Sequence, residues 1–168
     1  TRENRDNGVL LEIIKQLVAD PAFNIDTNQI YVSGPSAGGA QAFTLACLAP
    51  DIFAGVGLVA APAVGTGLFQ ISNPNTTADE TARKCIGLTD SYATYFDSQL
   101  ASVIFGSQDF VVSTRHNSIN AQALSIVYQA TEVNDFDISE LEGQNNDGVG
   151  VRFFKSTELR ISLVENTG

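Results

Sequence analysis

One serine of this sequence lies in a pattern that suits nucleophilic chemistry. Ser36 is the centre of Gly34-Pro35-Ser36-Ala37-Gly38, a G-x-S-x-G arrangement. In such a pattern, a strained turn between a strand and a helix exposes the serine oxygen above a sheet. The backbone N–H of Ala37, at the start of the helix, can then stabilise an oxyanion. The alternative is a glycine-rich phosphate-binding turn, but no Lys follows the turn and G-x-G-x-x-G spacing is absent.

The partners of a serine nucleophile are expected further along the chain. The serine needs a base, and the base needs a carboxylate that orients it. Asp109 follows a predicted strand that comes after the nucleophile, which agrees with the order nucleophile, acid, base. The single histidine, His116, lies a few residues beyond Asp109, near the start of a predicted helix. We expect His116 to be a surface or helix-capping residue and a poor candidate for the base.

The apolar pattern predicts strands alternating with helices around these candidates. The predicted helices are Val9–Val18 (capped by Asn7), Ala40–Leu48, Asp79–Cys85 and Asn117–Ala130, and the predicted strands are Gln29–Ser33, Val56–Ala60, Ser102–Phe105, Val151–Phe154 and Leu159–Val164. The uninterrupted apolar run of the second strand indicates burial on both faces. A turn is predicted at Asn145–Gly148. The alternation favours an α/β fold with a mainly parallel sheet flanked by helices.

A less regular stretch separates the second and third predicted strands. It runs from about 62 to 100 and contains Gly65, Gly67, Pro74 and Asn75. A long insertion above a sheet is a common place for a substrate cap. We therefore expect one catalytic domain over residues 1–168, with a cap-like insertion around 62–100.

Composition restricts the classes of partner and cofactor. The formal net charge is -10, which disfavours nucleic acid and membrane surfaces as partners. One histidine, two distant cysteines and no clustered carboxylates offer no metal-ligand set, so no metal and no cofactor are expected. Cys47 and Cys85 are either one disulfide of an exported protein or two buried thiols. Nothing in the sequence indicates an oligomeric state.

Three segments of the sequence resemble the poly(3-hydroxybutyrate) depolymerase and feruloyl esterase group of α/β-hydrolases. Asn24–Gly39 resembles the group's nucleophile segment, Pro50–Val56 the passage that follows it, and Phe105–Val112 the loop that carries the triad acid. The resemblance implies an α/β-hydrolase fold with Asp109 as the acid. It also implies an extracellular or periplasmic setting.

The sequence departs from this group in three places. Pro35 stands where the group usually carries a larger apolar residue. The group's base histidine follows the last strand, and its second oxyanion donor follows an early strand; neither is found in this sequence. We therefore expect a piece of a longer hydrolase, incomplete at both ends, with the base histidine beyond Gly168.

Three functions fit these residues. The first is a serine esterase that acts through an acyl-enzyme on Ser36, with hydroxyalkanoate polyesters or oligomers, or aromatic plant-wall esters, as substrates implied by the resemblance. The second is a serine peptidase or a dienelactone-type hydrolase, since both share the same turn. The third is a non-catalytic module that keeps the fold and lacks the base. Continuation of the gene past Gly168 to a histidine would distinguish the third function from the others.

Overall fold

A six-stranded mixed sheet lies at the centre of the structure, a computed structural model that describes residues 1–133 and 149–167. The turn predicted at Asn145–Gly148 lies outside the described residues. The strands are β1 (Tyr31–Pro35), β2 (Gly55–Val59), β3 (Leu100–Gly106), β4 (Thr131–Val133), β5 (Val149–Lys155) and β6 (Leu159–Asn166). The helices are α1 (Arg5–Ala19), α2 (Ser36–Leu48), α3 (Ala78–Leu88) and α4 (Arg115–Val127). Two 3-10 segments, Leu68–Gln70 and Asp90–Asp97, lie between β2 and β3.

The sheet is mainly parallel, as the alternation of elements predicts. Its order is β1-β2-β3-β6-β5-β4, in which β1, β2, β3 and β6 are paired in parallel, β5 is antiparallel to β6, and β4 is antiparallel to β5. The short strand β4 was not among the predicted elements. The α/β fold is confirmed, and the carboxyl ends of the four parallel strands lie at one edge, which we call the carboxyl edge. In sheets of this kind, ligands bind beyond that edge.

The core lies on one face of the sheet. Helix α2 packs on β1 and β2, helix α4 packs on β3 and β6, and α3 packs against α2 and α4. The large side chains that these contacts bury completely include Phe43, Leu58, Val103, Leu124 and Ile161. None of the helices among the described residues is long and apolar enough to cross a bilayer.

The opposite face of the sheet is partly open among the described residues. Val59 and Ile104 lie side by side on it and keep 39% and 41% of their surface exposed. The prediction that the second strand is buried on both faces is therefore wrong in this structure. The apolar run is consistent with the position of β2 between two other strands. Burial of each face depends instead on which elements pack against that face.

Helix α1 begins earlier than predicted, and Asn7 does not cap it. Asn7 lies inside the helix, where its amide donates to the backbone oxygen of Thr1 at 3.3 Å and its Oδ1 accepts a 2.7 Å bond from Gln41 Nε2. Its side chain therefore joins α1 to α2. The apolar face of α1 is only partly buried: Leu11 and Ile14 pack on a small cluster around Phe53, whereas Ile13 and Leu17 are exposed.

The stretch between β2 and β3 is tied into the core. Thr77 and Glu80 form a capping box at the start of α3, in agreement with the predicted short helix. Cys85 on this helix forms a disulfide with Cys47 on α2, which resolves the alternative that the sequence left open. Phe96 is 3% exposed and belongs to the main core. A cap function for residues 62–100 stays a prediction.

A buried polar network lies at the edge opposite the carboxyl edge. The side chain of Gln99 donates to the backbone oxygens of Ala46 and Phe53, at 3.2 and 2.9 Å, and its Oε1 accepts a 2.7 Å bond from the hydroxyl of Tyr128. Arg160 donates to the backbone oxygen of Gln99 in the same cluster. Burial raises the pKa of the Tyr128 phenol far above its usual value, and the nearby Arg160 opposes that shift.

Candidate active site

The candidate nucleophile occupies a sharp turn between a strand and a helix. Strand β1 ends at Pro35, which is extended, and helix α2 begins directly at Ser36. Ser36 has a φ of 50°, in the left-handed region that non-glycine residues rarely adopt. The residue is exposed to solvent. The helix thus starts at the serine itself, four residues earlier than the helix predicted at Ala40.

Two glycines make this turn sterically feasible. A Cβ at Gly34 would lie 2.5 Å from the backbone carbon of Gly38, and a Cβ at Gly39 would lie 2.6 Å from the Cβ of Ala61. Gly38 has more room, since a Cβ at that position would meet no atom closer than the Cδ of Pro35 at 3.7 Å. Close packing around Ser36 therefore depends on Gly34 and Gly39, while the second glycine of the G-x-S-x-G pattern is not required for space.

The candidate oxyanion donor lies in the first turn of helix α2. Ala37 is exposed and directly follows Ser36. No side chain caps this helix, and the first N–H groups of a helix have no partner within the helix. The helix dipole adds partial positive charge at the same end. The N–H of Ala37 is thus suited to a negative charge that develops on the carbonyl oxygen of a group attached to Ser36 Oγ.

The candidate acid lies in the loop that follows β3. Asp109 is half-buried, and its Oδ1 accepts hydrogen bonds from the backbone N–H groups of Val111 and Val112, both at 2.9 Å. These bonds fix the carboxylate within the loop. Among the described residues, no hydrogen-bond donor is found for Oδ2, so this oxygen is available for a partner such as an imidazole.

Ser36 and Asp109 are brought to the same edge of the sheet without touching. Pro35 pairs with Val59, and Val59 pairs with Ile104, so the ends of β1, β2 and β3 are aligned. Two strand spacings, about 10 Å, separate the ends of β1 and β3. In a catalytic triad, an imidazole lies between the serine and the carboxylate.

The single histidine does not supply that group. His116 is fully buried, so the expectation of a surface residue is wrong. Its Nδ1 accepts a 3.1 Å bond from the backbone N–H of Ala63, which leaves Nε2 to carry the proton and donate to the backbone oxygen of Gln70 at 2.9 Å. Neither nitrogen is free to accept a proton from Ser36 in this arrangement.

Four exposed apolar side chains at the carboxyl edge were not singled out from the sequence as functional. They are Leu68, Phe69, Phe110 and Val111. The sequence signal for them is a short apolar run in each loop, Leu68-Phe69 and Phe110-Val111-Val112.

Comparison with known proteins relates the chain to ester-cleaving enzymes. No family model matches the sequence. The chain is 36% identical over 141 residues to a poly(3-hydroxybutyrate) depolymerase of Ralstonia pickettii, and this match covers 83% of the chain. It spans 29% of the length of that relative.

Two solved structures share the fold. The acetyl xylan esterase of Aspergillus awamori matches with a TM-score of 0.68 and 14% identity, over 94% of this chain and 60% of that one. The PHB depolymerase of Penicillium funiculosum matches with a TM-score of 0.55 and 18% identity, over 62% of this chain and 36% of that one. The resemblance carried by the Ser36 segment is thereby confirmed, and the chain is a homologue of part of a poly(3-hydroxybutyrate) depolymerase with an α/β fold.

Proposed function

We propose that this chain is the nucleophile-bearing part of a serine esterase. The observation that carries the proposal is the left-handed φ of 50° at Ser36, exposed at the junction of β1 and α2. A residue other than glycine keeps such a conformation only where the surrounding structure imposes it, and such residues cluster at active sites. The homologous relative named a depolymerase supports an ester bond as the target.

The proposed reaction proceeds through an acyl-enzyme. The Oγ of Ser36 attacks the ester carbonyl carbon while its proton passes to a base, and the carbonyl oxygen becomes an oxyanion near the N–H of Ala37. Collapse of this intermediate breaks the bond to the alcohol, which leaves with the proton held by the base. Water then gives a proton to the base and attacks the acyl carbon, the bond from that carbon to Ser36 Oγ breaks, and the base returns the proton to Oγ as the acid is released.

The base is proposed to be a histidine carried by another part of the polypeptide, beyond Gly168. The topology supports this placement, because β6 pairs in parallel with β3 and Asn166 aligns with Gly106. A segment that follows β6 would leave the sheet at the carboxyl edge beside the loop of Asp109. The free Oδ2 would then receive an N–H of that histidine and orient the ring.

Uncharged polyesters or their oligomers are the proposed substrates, with aromatic esters as the second candidate class. An acidic protein of net charge -10 would repel anionic substrates at long range. The Cys47–Cys85 disulfide supports an extracellular or periplasmic location, where such bonds persist.

A fluorophosphonate probe tests the nucleophile. The full-length gene product and this 168-residue chain would each be treated with the probe, and the labelled residue would be mapped by mass spectrometry. We expect labelling at Ser36 in the full-length protein and loss of labelling in Ser36→Ala. Ser98→Ala, which removes an exposed serine hydroxyl from the opposite edge, is the control and should label normally.

The labelling pattern also separates the alternatives. Labelling of Ser36 in the full-length protein only would place the base outside these 168 residues. Labelling in both would contradict that placement, and labelling in neither would favour the non-catalytic module. A peptidase would be indicated if the labelled full-length protein cleaved a peptide amide but not p-nitrophenyl butyrate.

A further inference from the structure

Two pairs of apolar side chains project from loops at the carboxyl edge. Phe69 is 96% exposed and Phe110 is 93% exposed, and their neighbours Leu68 and Val111 are also exposed. We call these four residues the apolar rim. Single exposed apolar residues are ordinary, but contiguous pairs on loops next to a site mark surfaces that bind a ligand or partner.

The apolar rim borders the candidate active site. Leu68 and Phe69 belong to the segment that follows β2, the strand next to β1, and the first part of this segment contacts the nucleophile turn, where Ala61 lies against Gly39. Phe110 directly follows Asp109. The rim therefore lies on the same edge of the sheet as Ser36 and Asp109.

The loops of the rim are fixed to one another. The backbone N–H of Ser113 donates to the backbone oxygen of Ile71 at 3.0 Å, and the ring of His116 bonds the backbone oxygen of Gln70 at 2.9 Å. The N–H of Gly67 also donates to the Oε1 of Gln70 at 3.0 Å. The rim is thus a pre-ordered surface, and pre-ordering lowers the entropy cost of binding.

We propose that the apolar rim binds the apolar part of the ester substrate, a neutral acyl or alkoxy chain next to the scissile bond. This inference rests on the proposed esterase function and specifies its substrate class. The rim lies in loops beyond the strand ends, where a ligand of such a sheet binds, whereas Val59 and Ile104 lie within the strands. A soluble long-chain ester and the surface of an insoluble polyester present the same chemistry to the rim.

The first test uses chain-length dependence in the full-length gene product. Phe69→Ser and Phe110→Ser would be compared with wild type on p-nitrophenyl acetate and p-nitrophenyl octanoate. Loss of contact with a phenylalanine should lower kcat/KM for the octanoate about tenfold and leave the acetate within about twofold. Phe23→Ser is the matched control, since Phe23 is an exposed phenylalanine in the loop before β1, at the opposite edge.

The second test measures binding without turnover. In a Ser36→Ala background, adsorption to poly(3-hydroxybutyrate) particles should fall about tenfold with the two rim substitutions combined and should not change with Phe23→Ser. If the rim substitutions lower only kcat/KM for the octanoate, the rim is a site for single ester chains. If they lower only adsorption to the particles, the rim is a site for a polymer surface. Either result supports the rim as the binding site.

Equal losses for acetate and octanoate, together with unchanged adsorption, would overturn the proposal. An effect of Phe23→Ser as large as that of Phe69→Ser would overturn it as well, because nonspecific hydrophobic adsorption would then explain the binding. If no ester were hydrolysed and Ser36 were unlabelled, the esterase function would fail. Adsorption that still depended on Phe69 and Phe110 would in that case keep the rim as a binding site.

Discussion

The Nδ1 of His116 accepts a hydrogen bond of 3.1 Å from the backbone N–H of Ala63. With the bond from Nε2 to the oxygen of Gln70, and the 2.8 Å bond from Asn120 to the oxygen of Ala61, helix α4 holds both ends of the segment 61–70. This segment begins against the nucleophile turn and carries Phe69. His116 therefore positions the segment that carries Phe69.

Replacement of His116 should affect stability and substrate binding more than chemistry. In His116→Ala, the N–H of Ala63 and the oxygen of Gln70 lose buried partners, so the free energy of unfolding should fall by about 2–4 kcal/mol. In the full-length protein, KM should rise more than kcat falls. His116→Asn should recover part of the stability, because its Oδ1 can replace Nδ1 as acceptor. Urea unfolding and steady-state kinetics measure these effects.

The same experiment shows whether His116 acts as the base instead. A base residue would lose kcat by orders of magnitude in both variants, with KM nearly constant. Gln122→Ala, an exposed position of the same helix, is the control and should leave stability and kinetics unchanged.

The two glycines after Ser36 should respond oppositely to alanine. A methyl group at Gly39 would overlap Ala61 and the oxygen of Gly34, both at 2.6 Å, so Gly39→Ala should destabilise the fold by about 1–3 kcal/mol. Gly38→Ala has space and a helical environment, so it should be neutral or stabilising by up to about 1 kcal/mol. Urea unfolding compares the pair directly, and equal stabilities would contradict the packing described here.

The left-handed backbone of Ser36 should make glycine more stable than alanine at this position. Glycine adopts a φ of 50° without strain, whereas alanine does not. Ser36→Gly should therefore be more stable than Ser36→Ala by about 1 kcal/mol, although neither variant has a nucleophile. Thermal unfolding of the two variants tests this, and a more stable alanine variant would show that the turn is not strained.

Ionisation of Tyr128 should weaken the fold at high pH. Burial raises the pKa of this phenol above its unfolded value of about 10. The resulting stabilisation is fully present below pH 10 and is lost as pH rises towards the folded pKa. Tyr128→Phe should be less stable at pH 8, because Gln99 loses its donor, but its stability should fall less steeply between pH 9 and 11. Tyr95→Phe, at an exposed position, should retain the steep fall of the wild type.

The sharp turn at Ser36 could be predicted because its causes are local. A β-rich run, a glycine, a serine and a helix-forming stretch follow one another within residues 29–48, and their order alone predicts the strand–helix junction. The loop after β3 that carries Asp109 was predictable in the same way, and the role of Asp109 as acid stays a prediction. Even here the sequence could not show that Gly39, and not Gly38, lies against Ala61, since that contact joins two separate strand–helix units.

The features that sequence reasoning missed depend on distant partners. His116 is buried because backbone groups of Ala63 and Gln70 meet it across the fold, and no pattern around position 116 indicates those contacts. The sequence around Asn7 suggests a helix cap, but its Oδ1 accepts a hydrogen bond from Gln41 of another helix. Strand β4 is too short to show periodicity of its own. Its place follows from pairing with β5.

Strand β6 lies between β3 and β5, although it is the last strand in chain order among the described residues. During synthesis, the parallel unit of β1, β2 and β3 therefore emerges with the edge of β3 unpaired, and residues 159–166 reach it only later. At the usual rate of about 5–20 residues per second, that edge stays available for several seconds. Until β6 arrives, the unpaired edge of β3 is a template on which a neighbouring chain could add a strand.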